Sequence, residues 1–96
     1  MTRKEHLLIM LMEECDEVSQ RASKALRFTL EEIQPGQEFT NADRIVYEFN
    51  DLYAIMQMLQ KEGAIPHIIN QPALELKKEK VKKFLAYSKE VGTLKE

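Results

Sequence analysis

Glu13-Glu14-Cys15-Asp16-Glu17 is the stretch on which the reading of this chain turns. Successive side chains on an α-helix are rotated by about 100°, so Glu13 and Glu17 project about 40° apart and Glu14 about 100° from Glu13. Three carboxylates therefore occupy one quarter of a helix circumference. Beside them runs an apolar stripe at helical spacing: Leu8, Leu11, Cys15, Val18, Ala22 and Ala25. Either the rest of the chain helps these carboxylates hold a metal, or they are ordinary solvated charge.

Working outward, Thr2-Arg3-Lys4-Glu5 has the form of a capping box, and Glu5 to Phe28 contains no Gly or Pro. One helix of about seven turns is expected. Thr29 to Asn41 breaks the pattern, with Pro35-Gly36 suited to the centre of a type II turn and a short helical start expected at Leu30–Ile33. This connection is longer than a helical hairpin needs, which marks it for a task such as covering a ligand. Thr40 or Asn41 then caps a second helix, with Asp43 in its first turn. Ile45, Phe49, Leu52, Met56 and Leu59 form its stripe, Tyr47, Ile55 and Met58 widen it, and Gly63 closes it. After a second loop, Pro72 opens a third helix to about Val91 that is expected to carry Leu74, Val81, Leu85 and Phe84 inward. The pattern predicts a single all-α domain over residues 1–96: two long antiparallel helices plus a shorter third, assembling by oligomerisation into a four-helix-bundle-like core.

Composition narrows the partners. Ninety-six residues form one small domain, which buries a small fraction of its surface and gains from association. Fourteen basic against 16 acidic residues give a net charge near −2, so no global field draws nucleic acid or an anionic membrane. A single cysteine forms no internal disulfide, and no apolar run approaches the roughly 18 residues of a membrane span. A soluble cytoplasmic protein is the expectation, with neither nucleic acid nor membrane as partner.

Arg44, Glu48 and Asp51 fall inside the widened apolar arc of the second helix, where unpaired charge is costly. Glu48 and Asp51 stand at i and i+3, on one face, and antiparallel packing can bring them against Glu13, Glu14 and Glu17. Five converging carboxylates repel strongly, and hard cations relieve that repulsion. An all-oxygen ligand set suits Mg²⁺ or Mn²⁺.

E-E-x-x-E followed by E-x-x-D on the next long helix resembles the all-α nucleoside triphosphate pyrophosphohydrolases, the MazG-like superfamily, and within it compact members often carried by bacteriophages. The similarity spans roughly Met10 to Leu59. The resemblance implies hydrolysis of a nucleoside or deoxynucleoside triphosphate to the monophosphate and pyrophosphate, by a homodimer or homotetramer with its site between helices. It implies Mg²⁺, or Mn²⁺, held by Glu13, Glu14, Glu17, Glu48 and Asp51, with Glu14 positioning the attacking water. Lys24 would neutralise phosphate charge, with Arg21 or Arg27 as substitutes, and Asn50, Phe28 or Tyr53 would recognise the base.

The remaining features have plainer readings. Lys77, Lys78, Lys80, Lys82 and Lys83 lack interleaved aromatics and form a solvated face. Cys15, Met10, Met12, Met56 and Met58 are read as core filler. A di-iron carboxylate bundle would call for Glu-x-x-His on two helices, which the chain lacks. A non-catalytic helical interaction module is the alternative function.

Overall fold

Three helices account for the regular structure in the computed structural model, which describes all 96 residues: α1 (Arg3–Phe28), α2 (Asn41–Lys61) and α3 (Gln71–Glu90). Each begins where local chemistry can satisfy free N–H groups. Thr2 Oγ1 accepts from Glu5 N at 3.1 Å while Glu5 Oε1 accepts from Thr2 N at 3.3 Å. Thr40 and Asp43 repeat that reciprocal pair at the start of α2, which makes Thr40 the cap. Asn70 Oδ1 caps α3 through Ala73 N, with Pro72 in the first turn.

α1 and α2 pack antiparallel. Arg3 at the start of α1 pairs with Glu62 just beyond α2, and Leu7 packs against Ile55 and Leu59. Ala22 and Ala25, near the far end of α1, lie beside Ile45 in the first turns of α2. Leu7, Ala25, Ile55 and Leu59 are the buried apolar residues, so the hairpin seam is the core.

The connection between these helices is a folded strap, not a continuation of α1. Gln37 N donates to Gln34 O at 2.9 Å and Gly36 has φ +83°, the positive value that the third position of a type II turn requires. Ile33 and Thr40 form an antiparallel bridge. The expected helical start at Leu30–Ile33 does not form, because its carbonyls are used elsewhere. Leu30 O and Glu32 O accept from Ala42 N and Asn41 N, each at 3.0 Å, and so satisfy first-turn donors of α2. Asn41, 1% exposed, fastens the strap with its side chain: Nδ2 donates to Thr29 O at 2.8 Å and to Glu32 Oε1 at 3.1 Å. Thr29 itself is held at φ 78°, ψ 159°, a backbone region that is essentially reserved for glycine.

α3 departs from expectation. None of its residues is buried, and Leu74, Val81, Phe84 and Leu85 are all exposed rather than turned inward. Residues 62–70 carry it away from the hairpin, so no Cα of α3 comes within 8 Å of a Cα of α1 or α2. The radius of gyration is 16.8 Å, against about 13 Å for a compact chain of this length. Cys15 and Met10, Met12 and Met58 are likewise exposed, not core filler, since a two-helix seam has one inner line and these residues flank it.

Asn41→Ala should cost about 2 kcal/mol in denaturant unfolding, because it leaves two acceptors at a buried corner without their donor. Thr29→Gly should be neutral or stabilising by about 1 kcal/mol, where glycine just after a helix would otherwise bring little change, because it releases backbone strain of roughly 1–3 kcal/mol.

Candidate metal centre

The seam that buries Leu7 and Ala25 also takes in Glu14. On a helical wheel Glu14 points within about 20° of both, Glu17 about 80° away and Glu13 about 120° away. On α2, Glu48 projects between buried Ile55 and Leu59, and Asp51 lies about 40–80° to one side. The sequence thus aims Glu14 and Glu48 at one another across the hairpin, with Glu17 and Asp51 beside them on the same open flank. Oxygens of Glu14, Glu17, Glu48 and Asp51 all lie within 4.8 Å of one another, the first and third residues half-buried and the other two exposed. Glu13 is exposed and stands outside this group, because its direction is that of the outer surface.

Two observations separate this cluster from solvated surface charge. Glu14 Oε2 and Glu48 Oε2 are buried and accept no hydrogen bond. Each unit-charge pair at such distances repels by roughly 3–4 kcal/mol at an effective dielectric of about 20. Both glutamates respond by holding their protons to higher pH than usual. For Glu14 the causes are loss of solvent, the charges of Glu17 and Asp51, a hydrogen bond shared with Glu17, and the charge of Glu13. For Glu48 they are loss of solvent, then a hydrogen bond shared with Glu17 and the charges of Glu17, Asp51 and Glu14. Protons or a cation would relieve the repulsion in the cluster. The donor set is all oxygen, and ligands about 2.1 Å from a Mg²⁺ ion stand up to about 4.2 Å apart. The four carboxylates could therefore hold a hard divalent ion by drawing inward around it.

The cations near the cluster are on α1. Arg21, one turn beyond Glu17 and aligned with Glu14, is half-buried, and its Nη1 is buried without an acceptor. Lys24, half-buried, shares the flank of Glu17. Neither belongs to the chain's ion pairs, which join Arg3 to Glu62, Lys78 to Glu75 and Lys82 to Glu79. Arg27 instead stacks over Phe28, 4.9 Å from the ring centre, and Arg44 donates to Gln34 Oε1 at 2.8 Å. Among the base-recognition candidates, Phe28 lies on the carboxylate flank. Asn50 is on the far side of α2 and donates to Val46 O of its own helix, and Tyr53 stands beside Phe49, away from the cluster. Sequence reasoning ranked Lys24 above Arg21; the wheel signal that would have reversed the order is the alignment of Arg21 with Glu14.

Because the folded state binds protons at Glu14 and Glu48 more tightly than the unfolded chain does, the metal-free fold is favoured below the ordinary glutamate range and loses stability as pH rises through their raised values. Without divalent ions, Glu14→Gln/Glu48→Gln should therefore melt above the wild type at pH 7, and the gap should close toward about pH 4. Adding Mg²⁺ or Mn²⁺ at pH 7 should stabilise the wild type by about 2.7 kcal/mol at a hundred times its dissociation constant, and leave the double variant unmoved.

No protein-family model matches the chain, and no curated protein and no solved structure does so.

Proposed function

We propose that the protein is a metal-dependent pyrophosphohydrolase, hydrolysing a nucleoside or deoxynucleoside triphosphate to the monophosphate and pyrophosphate, and acting as a homodimer or homotetramer. The observation that carries this reading is the pair of buried, unpartnered oxygens on Glu14 and Glu48 facing each other from antiparallel helices, with Glu17 and Asp51 at the open side. The choice of substrate rests on the resemblance of E-E-x-x-E and E-x-x-D to the pyrophosphohydrolase pattern.

Glu14, Glu17, Glu48 and Asp51 would hold Mg²⁺ or Mn²⁺, which supplies charge neutralisation for triphosphate oxygens and a lowered pKa for the attacking water. Glu14 orients that water and takes its proton, a role suited to a carboxylate whose surroundings favour protonation. Water adds at the α-phosphorus, the bond to the bridging oxygen breaks, and pyrophosphate leaves. Arg21 offers a planar donor fork with one nitrogen, Nη1, already buried, and Lys24 a point charge on the same flank. A second reading, a non-catalytic helical interaction module, draws support from the amount of exposed apolar surface, including Phe49, Phe84 and Tyr87.

A panel of nucleoside triphosphates incubated with Mg²⁺ or Mn²⁺, with pyrophosphate distinguished from phosphate, tests the hydrolase. Glu48→Gln should lower pyrophosphate release by about a hundredfold or more, as removal of a group that organises transition-state charge does. Arg21→Ala should raise KM more than Lys24→Ala. If no triphosphate yields pyrophosphate with either metal, the enzymatic reading is wrong, and partner binding that survives Glu48→Gln then marks an interaction module.

A further inference from the structure

The two sides of the hairpin seam differ in chemistry. The carboxylates open on one side. On the other, Leu11, Cys15, Phe49, Leu52, Tyr53 and Met56 line an all-apolar groove of about 410 Å³, with Ile68, Ile69 and Leu74 at the end where the chain leaves for α3. α3 carries the complementary surface. Val81, Phe84 and Leu85 fall within about 100° of one another, a stripe that its own chain leaves uncovered beyond Leu74. A 20-residue helix with no tertiary packing is marginal in water, so its stability depends on what covers that stripe.

Area and charge identify the cover as a second copy. The accessible surface is 7769 Å², against about 5,700 Å² for a folded monomer of 11.2 kDa. The excess of roughly 2,000 Å² is what an obligate dimer hides on each subunit. Residues 1–70 carry seven basic and twelve acidic side chains, a net charge of −5, whereas α3 carries six lysines and three glutamates, a net charge of +3. Two hairpins brought groove to groove would repel, and a hairpin facing α3 would attract. Residues 62–70, with Ile68 N donating to Gln60 Oε1 at 3.0 Å, deliver α3 past the end of the groove, and none of its Cα atoms comes within 8 Å of a Cα of α1 or α2.

We propose that α3 is an exchanged arm: its Val81, Phe84 and Leu85 stripe lies in the groove of a second copy of this chain, over Leu11, Cys15, Phe49, Leu52 and Met56, and the second copy reciprocates. The lysines flanking the stripe then lie against the acidic hairpin, and the carboxylate mouth on the opposite side stays open to a ligand. This arrangement is isologous and leaves both stripes covered. It rests on the oligomeric part of the reading above, and is independent of the reaction.

Cys15 is the chain's one cysteine and lies in the groove, so it serves as the probe. Cysteines placed singly at Val81 or Leu85 should be joined to Cys15 by a short bis-maleimide as a band of dimer mass. One at Glu79, on the opposite face of α3, should not, and Cys15→Ser should abolish the band. Val81→Glu/Leu85→Glu, at positions exposed within the chain, should raise the dimer dissociation constant at least about tenfold in sedimentation equilibrium and leave hairpin helicity intact. High salt should weaken the wild-type dimer in the same assay. A wild-type dimer that joins Cys15 to Cys15, or to Glu79→Cys as readily as to the stripe, overturns the exchanged arm and leaves oligomerisation standing. A band at monomer mass means that α3 folds back on its own groove, and also overturns it. A wild type that is monomeric at micromolar concentration overturns both.

Discussion

The hairpin seam has to bury an apolar line while gathering four carboxylates, two of them half-buried, along the same length of helix, and the rest of the molecule follows from how that conflict is resolved. Leu7, Ile55 and Leu59 close one end and Ala25 the other, while Glu14 and Glu48 interrupt the line between them. Full burial of an aliphatic side chain contributes about 1.5–3 kcal/mol. Repulsion within a single ionised pair is of the same order, and four carboxylates make six pairs, even with screening at exposed Glu17 and Asp51. A seam with so few buried side chains cannot carry that repulsion unaided. Protons relieve it at low pH, and under the proposed function a divalent cation would relieve it at neutral pH, which would link fold and ligand through the same oxygens.

The strap between the helices determines whether the two halves of the cluster meet in register. Glu14 meets Glu48 only if α2 starts at a fixed height against α1, and that height is set by Asn41. Its buried amide ties Thr29 at the end of α1 to the first residue of α2, while Leu30 and Glu32 lend their carbonyls to α2's free donors. A strained Thr29 is the cost of turning the chain within so little space. The strap's polar residues are thus spent on closing a corner, and Arg44, whose charge inside an apolar arc asked for a partner, finds it in Gln34 of that strap.

What the sequence made legible was what local chemistry decides. Thr2 and Thr40 mark the first two helix starts because a cap needs only its neighbours, Pro72 marks the third because its fixed φ suits a first turn, and Pro35-Gly36 marks the turn because φ near −65° followed by a positive φ closes it. The meeting of Glu14 and Glu17 with Glu48 and Asp51 was legible from periodicity. Exclusion of Glu13 was legible only in part: the spacing shows it beside Glu17, but its distance from the seam depends on which residues the partner helix covers. The exposure of Cys15 and of α3 was not legible at all, since an amphipathic stripe states that a face must be covered and is silent on which chain covers it.

The division of the seam into a polar side and an apolar side has a physical consequence for how assembly and ligand binding interact. Glu17 and Asp51 are exposed on one flank, while Cys15, Leu52 and Met56 line the other, so a protein surface packed on the apolar groove does not compete for the space in front of the carboxylates. The two processes still share the hairpin as their common support. Covering the groove removes water from one side of Leu11 and Leu52, the neighbours of Glu14 and Glu48, and lowers the polarity around both glutamates. That strengthens the demand for a neutralising ion at the opposite mouth. Under the two proposals, assembly and cation binding would be coupled through a shared wall of side chains without sharing a contact atom, and by linkage each would favour the other by the same factor.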